Sequence, residues 1–170
     1  MLYFFELSEI ERHGMRVSEA LVGQPIVQPA WESFGNTIRG LVEHLVIGGR
    51  LPAALVDPAV QRIREREAIA STAMVDIGVS IPHARFDGIH GIAAAIAVAP
   101  TAVYQLADGL PISIVVLVLS SPALTGEHLS FLSTLSLLLQ SGRFRQQLRT
   151  AAHPLEVRRV IQEGESAGIQ

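Results

Sequence analysis

The stretch "GVSIPHARFDGIHG", residues 78–91, places a histidine where a predicted strand reaches a proline. Val79 and Ile81 alternate with smaller residues, as expected of a strand. Pro82 lacks a backbone donor and favours an extended residue before it, so the pattern predicts that the strand ends here. His83 then stands at the mouth of the strand, where an imidazole can act as a nucleophile or a ligand. The alternative is a histidine that only occupies a turn.

Other polar residues could join His83 in one site. His128 falls in the first turn of a predicted helix, where free N–H groups favour an anion and disfavour a charged imidazole. Arg66 precedes Ser71 and Thr72, whose hydroxyls could donate hydrogen bonds from a loop. A neutral imidazole can attack phosphorus, and an arginine fork can hold the phosphoryl oxygens. This set therefore suits phosphoryl transfer, which between two histidines requires no metal.

Structural roles would also explain these residues. A lone histidine after a strand is more often structural than catalytic. Arg66 lies in the charge run "RIRERE", which is typical of a solvated helix face, and His128 could be a surface cap residue. A metal site made of His83, His128 and a carboxylate is a further alternative, but its carboxylate has no recognisable ligand spacing.

Composition excludes several other chemistries. The 170 residues are 49% hydrophobic with a net charge of −3, which suits one ordinary globular domain and gives no reason to expect nucleic-acid or membrane binding. Cysteine is absent, which excludes disulfides, thiolate metal sites and cysteine nucleophiles. All 13 basic residues are arginine, which excludes Schiff-base chemistry and a Walker-type phosphate loop. The first residues do not resemble a signal peptide, so we expect a cytoplasmic protein.

Strand and helix patterns together predict an α/β layer architecture. Strands are predicted at 77–82, 91–99 and 112–120, and the last two are so apolar that both faces of each should be covered. The "ADG" of residues 107–109 predicts a turn before the third strand.

Helices are predicted on both sides of these strands. One covers 34–47, and a second starts with Asp57 as its N-cap. A third has Thr125 as its N-cap and ends at 141–142, and two short helices close the chain. The residues expected on the inner side of the third helix are Leu129, Leu132, Leu135, Leu138 and Leu139. Residues 1–33 form a lead-in of uncertain structure, 34–165 a single domain, and 166–170 a tail.

Three motifs, in order, resemble the fructose/mannitol-type (type 2) enzyme IIA domain of the bacterial phosphotransferase system, a family with a nitrogen-regulatory branch. They are "REREAIAST…GVSIPHAR", "ADGLPISIVVLVLSSP" and "GEHLSFLSTLSLLLQSGRFRQQLRTA". The likeness spans about residues 34 to 163. It implies a mixed β-sheet sandwiched between helices.

The resemblance also implies the roles of the site residues. His83 matches the phosphorylated histidine, His128 the second active-site histidine, and Arg66 the arginine before the Ser-Thr pair. Ser71 and Thr72 match that phosphate-binding pair. Family members accept the phosphoryl group from the carrier protein HPr or a close relative, without a bound cofactor. Transport members pass it to a cysteine of a IIB partner, which here must be a separate protein because this chain has no cysteine.

One loop departs from the family pattern. After the Ser-Thr pair the family usually carries two or three glycines, whereas "AMVDIGV" keeps only Gly78 and adds Asp76. Glycines there would let backbone amides approach a phosphate, and a carboxylate would repel it. We expect Asp76 to point away from the site, and Arg85 to bind phosphate and help offset the Asp76 charge. The alternative is an Arg85 that only faces solvent.

Two functional hypotheses follow. The first is a phosphohistidine carrier that receives a phosphoryl group from HPr on His83 and passes it to a IIB-type partner in sugar uptake. The second is a nitrogen-type regulatory protein, in which phosphorylation of His83 controls partner binding. A degenerate member whose altered loop no longer accepts phosphate is a third alternative.

Overall fold

The computed structural model describes residues 15–167, and this part of the chain forms α-helices, strands and two short 3₁₀ turns. The six helices are α1 (Val17–Ala20), α2 (Phe34–Ile47), α3 (Val56–Ile69), α4 (Thr125–Gln140), α5 (Gly142–Thr150) and α6 (Pro154–Ser166). The strands are β1 (Ile26–Val27), β2 (Ala73–Met74), β3 (Val79–Ser80), β4 (His83–Arg85), β5 (Ile92–Val98), β6 (Tyr104–Gln105), β7 (Pro111–Ile112) and β8 (Ile114–Ser120). The 3₁₀ turns are Ala53–Leu55 and Val75–Ile77.

The main sheet has six strands and is mixed. Its order is β1-β5-β8-β3-β2, and β4 also pairs with β8. The central pair β5 and β8 is antiparallel, whereas β1 runs parallel to β5, and both β3 and β4 run parallel to β8. Strands β6 and β7 form a separate hairpin that contains the predicted 107–109 turn between its strands. A mixed sheet between helices in a single domain confirms the predicted fold class.

The two faces of the central strands pack differently. Every residue of β5 and β8 is buried, as predicted from their apolar runs. Because alternate side chains of a strand point to opposite faces, β5 presents Ile92 and Ile96 to one face and mainly alanines to the other. The alanine face packs against the apolar stripe of α2, and the bulkier face packs against α4. Small side chains on one face allow the α2 helix to lie close to the sheet.

Helix α2 confirms the predicted span 34–47, and α4 ends at Gln140 as expected. The predicted inner stripe of α4 was wrong at Leu129, which is 62% exposed. His128 and Phe131 are buried instead, together with Leu135. The leucine spacing of this helix allows two neighbouring stripes, and the bulky Phe131 is part of the one that faces the sheet.

Both predicted N-caps were wrong, Asp57 by two residues and Thr125 by one. Helix α3 begins at Val56, after a 3₁₀ turn, so Asp57 lies inside its first turn and accepts a hydrogen bond from Arg39 at 2.8 Å. Helix α4 begins at Thr125 itself, and its cap residue Leu124 makes no side-chain cap bond. The Thr125 hydroxyl accepts a hydrogen bond from Arg85 instead.

The predicted strand at 77–82 is divided. Only Val79–Ser80 is a strand, and it follows a 3₁₀ turn that ends at Gly78 in the left-handed region, φ 66°. Pro82 interrupts the pairing without ending it, because its carbonyl accepts from the Val118 N–H at 2.9 Å. Pairing with β8 resumes directly after it, so His83 begins strand β4 rather than following the end of a strand.

Part of the predicted lead-in contributes to the core. Val17 and Ala20 of α1 are buried, and β1 extends the sheet beside β5. Residues 1–14 and 168–170 lie outside the described part of the chain, so the start of the lead-in and most of the tail are not covered. Within residues 15–167, no helix combines the length and apolar character needed to cross a membrane.

Candidate active site

The register of β4 against β8 places several polar side chains on one face of the sheet. His83 lies opposite Val118, and Arg85 lies opposite Ser120, the last residue of β8. Since alternate residues share a face, His83, Arg85 and Ser120 point to the same side as Val118. Val118 packs with Phe131 of α4 on that side. The first turn of α4, with His128, therefore covers this end of the sheet.

His83 presents one free ring nitrogen. Its Nδ1 lies 2.8 Å from the carbonyl oxygen of Ile81, and because a carbonyl can only accept, Nδ1 carries the proton. The lone pair of the neutral ring is then on Nε2. Burial is the largest cause of a lowered His83 pKa, which the Ile81 hydrogen bond opposes and the Arg66 charge reinforces. The half-buried ring is therefore neutral at pH 7, with Nε2 available as a nucleophile.

His128 is next to His83 and more deeply buried. His128 is only 6% exposed. The centroids of the two imidazole rings are 5.5 Å apart, and the ring planes make an angle of 53°. Nδ1 of His128 lies 2.5 Å from Ser120 Oγ. Burial, followed by the charges of His83, Arg85 and Arg66, lowers the pKa of His128 to about 4. The predicted neutral state is thus supported, but burial rather than the helix field is the main cause, and the alternative of a surface cap was wrong.

Two arginines make the surroundings of the histidines cationic. Arg66 is in the last turn of α3, where Nη1 donates to the Ala70 carbonyl at 3.3 Å. Its charge lowers the pKa of both histidines. Arg85 lies two residues after His83 on the same side of β4, and its Nη1 donates to Thr125 Oγ1 at 2.7 Å. An anion bound between the rings would therefore be close to two permanent positive charges.

Ser71 and Thr72 form hydrogen bonds with Glu67. Ser71 Oγ donates to Glu67 Oε1 at 3.1 Å, and Thr72 Oγ1 donates to Oε2 at 2.8 Å. The Thr72 N–H also donates to Oε1 at 2.8 Å. Both hydroxyl protons are therefore in use, and either would have to leave Glu67 before it could bind a phosphoryl oxygen.

No charge of the altered loop is among the causes of the lowered pKa of either histidine. Asp76 is an exposed residue of the 3₁₀ turn Val75–Ile77. Glu67, and not Asp76, is the carboxylate whose charge affects the pKa of His83. The Asp76 carboxylate is thus exposed and has no part in the lowered pKa of His83, and its pointing away from the site stays a prediction.

Sequence reasoning missed two residues of this site, Glu67 and Ser120. Glu67 could have been found, because a carboxylate four residues before Ser71 on a helix is within reach of the following loop. Ser120 left a weaker signal, a hydroxyl that ends an otherwise apolar strand. Within residues 15–167, no three His, Asp or Glu side chains come together as metal ligands, and the metal alternative gains no support.

Comparison with known proteins gives one family. Residues 28–164 match the family described as "Phosphoenolpyruvate-dependent sugar phosphotransferase system, EIIA 2". A nitrogen regulatory protein of Pseudomonas aeruginosa is 27% identical over 120 residues, which are 69% of this chain and 77% of that protein.

Solved structures share the fold. The nitrogen regulatory protein IIA-Ntr of Neisseria meningitidis superposes with a TM-score of 0.70 at 26% identity, over 85% of this chain and 98% of that one. Mannitol enzyme IIA of Escherichia coli, solved in a complex with phosphorylated mannitol enzyme IIB, superposes with a TM-score of 0.63 at 14% identity, over 88% of this chain and 97% of that one. At that identity the likeness concerns the fold alone.

Proposed function

The chain belongs to the EIIA 2 family of the phosphoenolpyruvate-dependent sugar phosphotransferase system, and from this premise we propose that it is a carrier that is phosphorylated on Nε2 of His83. One observation carries the proposal. The Nδ1–H of His83 is held by the Ile81 carbonyl, which leaves the lone pair on Nε2 beside His128. A neutral imidazole held in this way needs no general base before it attacks phosphorus.

The proposed step is an exchange between two imidazoles. The Nε2 lone pair of His83 attacks the phosphorus of a phosphohistidine on HPr or an HPr-like donor. As the new N–P bond forms, the N–P bond of the donor breaks and its electron pair returns to the donor's ring. The proton of His83 stays on Nδ1, hydrogen-bonded to the Ile81 carbonyl, throughout, and the step needs no metal or organic cofactor.

Positive charge near the rings would stabilise the transferring group. The guanidinium groups of Arg66 and Arg85 both affect the electrostatics of the histidine pair, and neither can lose its proton. An Nε2–H of His128 would donate to a phosphoryl oxygen. We assign Ser71 and Thr72 to phosphate binding through a rearranged loop, in which their hydroxyls exchange Glu67 for the phosphoryl group.

The phosphorylated protein could serve either of two roles. Sugar uptake would require transfer to a cysteine of a separate IIB-type protein, because this chain contains no cysteine. A nitrogen-type regulatory role would use the phosphorylation state to control partner binding. The relatives at 26% and 27% identity are nitrogen regulatory proteins, and they favour the second role over the uptake role that the sequence analysis placed first. In either role we place the exchange in the cytoplasm.

The acceptor residue can be tested directly. The protein is incubated with phosphoenolpyruvate, enzyme I and HPr, and its phosphate is tested for lability in acid and stability in base. We expect such a label on the natural chain and on His90→Ala, an exposed histidine of the same stretch, and none on His83→Ala. Label retained by His83→Ala would reject His83. An unlabelled natural chain with an active donor system would instead support a degenerate member.

The downstream role needs a different measurement. The labelled protein is mixed with IIB-type proteins from the same genome, and the transfer of label is followed. Rapid loss of label to a IIB cysteine would support sugar uptake. Retained label, together with a partner that binds only one phosphorylation state, would support regulation.

A further inference from the structure

Ser120 has one side-chain partner in the described part of the chain, and that partner is a ring nitrogen of the site. The residue is fully buried at the end of β8, between β4 and β5. Its Oγ lies 2.5 Å from Nδ1 of His128. Its backbone carbonyl is used separately, as the acceptor of the Phe86 N–H at 2.8 Å.

The direction of this hydrogen bond follows from the burial of the hydroxyl. If Nδ1–H of His128 donated to Ser120, the serine proton would be buried without any acceptor among residues 15–167. If Ser120 donates, both the hydroxyl proton and the Nδ1 lone pair are satisfied. The second arrangement is favoured, and it places the proton of the neutral His128 ring on Nε2.

We propose that Ser120 is a positioning residue, whose hydroxyl holds His128 in the Nε2–H tautomer so that this N–H donates to the phosphoryl group on His83. The inference rests on the proposed function. It means that the two rings hold opposite tautomers. His83 has its proton on Nδ1 and its lone pair on Nε2, whereas His128 has its lone pair on Nδ1 and its proton on Nε2.

The opposite tautomers suit opposite tasks. The Nε2 lone pair of His83 can form a bond to phosphorus, and an N–H on His128 can donate to the oxygens of that phosphoryl group. In the other tautomer, His128 would direct a lone pair at an anion and repel it. Without the Ser120 hydroxyl the two tautomers of His128 would compete.

The tautomer can be read without any phosphoryl transfer. In ¹⁵N-histidine NMR spectra of the unphosphorylated protein at neutral pH, we expect His128 to show a protonated Nε2 and an unprotonated Nδ1. Ser120→Ala should shift both resonances towards the averages of a mixed population. A protonated Nδ1 in the natural chain would overturn the inference. This reading would stand even if the protein were never phosphorylated, so it fails separately from the proposed function.

A double-mutant cycle then tests the effect on transfer. We expect Ser120→Ala to slow phosphorylation by HPr about tenfold, as for the loss of one hydrogen bond. In a His128→Gln background the same change should have no further effect, because an amide has no tautomer to fix. Equal slowing in both backgrounds would show a merely structural role and overturn the proposal.

Two more variants keep the test decisive. Ser113→Ala removes another buried serine hydroxyl, which bonds to the Gly78 carbonyl away from the histidines, and should leave the rate unchanged. Ser120→Cys keeps a weak donor of similar shape and should fall between serine and alanine. If Ser120→Ala failed to fold, the NMR spectrum and rate of Ser120→Cys would decide the question. A natural rate with an unchanged His128 spectrum in the cysteine variant would then contradict the inference.

Discussion

His83 at the start of β4 and His128 in the first turn of α4 belong to the same site, but different kinds of partner hold their rings. His83 is held by a backbone carbonyl, which can only accept a hydrogen bond. His128 is held by a serine hydroxyl, which can donate or accept. The backbone therefore fixes the tautomer of His83 whatever side chains surround it, whereas the tautomer of His128 depends on one neighbouring residue.

The two histidines also differ in their contact with solvent. His83 is half-buried, and His128 is almost completely covered. A nucleophile has to meet the phosphohistidine of another protein, so it must remain reachable. A donor that only stabilises the transferred group works better in a dry position, where its hydrogen bond is stronger. The His83 ring is therefore accessible to another protein, whereas the His128 ring is kept in place by burial.

The largest expected effect that separates the two rings is on transfer itself. We expect His128→Ala to lower the rate of phosphorylation about 100-fold, the usual cost of losing one donor to a transition state, while labelling still goes to completion. His83→Ala should remain unlabelled at any time. A time course with excess HPr measures both, and full-speed labelling of His128→Ala would remove His128 from the site.

The next effect concerns stability against pH. The pKa of His128 is lowered to about 4 in the folded state, so the unfolded state binds more protons below about pH 6.5. The contribution of neutral His128 to the free energy of unfolding is fully present above pH 6.5 and is lost as the pH falls towards 4. If the shift is fully realised, about 2 kcal/mol disappears between pH 8 and pH 5, and the lowered pKa of His83 adds loss of the same sign.

Chemical denaturation at the two pH values tests this linkage. His128→Gln should lose less free energy of unfolding on acidification than the natural chain does. His90→Gln, an exposed control, should behave like the natural chain. Equal losses in all three proteins would show that His128 is not held neutral by the fold.

A smaller effect on the rate of phosphorylation is expected from Arg66, whose charge lowers the pKa of both histidines. Arg66→Ala should slow phosphorylation about tenfold, because one charge-assisted contact to the phosphoryl group is lost. Arg64→Ala removes an exposed guanidinium of the same helix and serves as the matched control. Equal rates for the two variants would show that Arg66 does not serve the site.

The smallest effect concerns the loop beside the rings. Glu67→Gln weakens the hydrogen bonds that hold Ser71 and Thr72, and should lower the free energy of unfolding by about 1 kcal/mol. It should also lower the pKa of His83 further, since the Glu67 charge raises it. Glu65→Gln, an exposed neighbour, should change neither value. An NMR titration and a denaturation curve measure both effects, and matching results for the two variants would argue against this role of Glu67.

Sequence reasoning reached the fold where local patterns were strong. The apolar runs of β5 and β8 predicted central, covered strands, because both faces of each are buried. The short strands around Pro82 were predicted poorly, since pairing on both sides of the proline depends on β8, which is distant in sequence. The stripe of α4 failed at Leu129 for a similar reason, as only the sheet decides which of two stripes it covers.

In the candidate site, too, some residues could be predicted from local sequence and others depend on contacts between distant parts of the chain. His83, His128 and Arg66 were selected from motif and residue type, and the fold brings their charges and rings near one another. The residues that hold these side chains in place could not be predicted in the same way. Ser120 lies eight residues from His128 along the chain and meets it only because β8 ends beneath the first turn of α4.

The most direct test of the account is the atom that carries the phosphate. The ¹⁵N-histidine protein is phosphorylated through enzyme I and HPr, and its imidazole spectra are recorded with ³¹P coupling. We predict coupling to Nε2 of His83, with Nδ1 of the same ring still protonated. Phosphate on Nδ1 of His83, or on His128, would contradict the account.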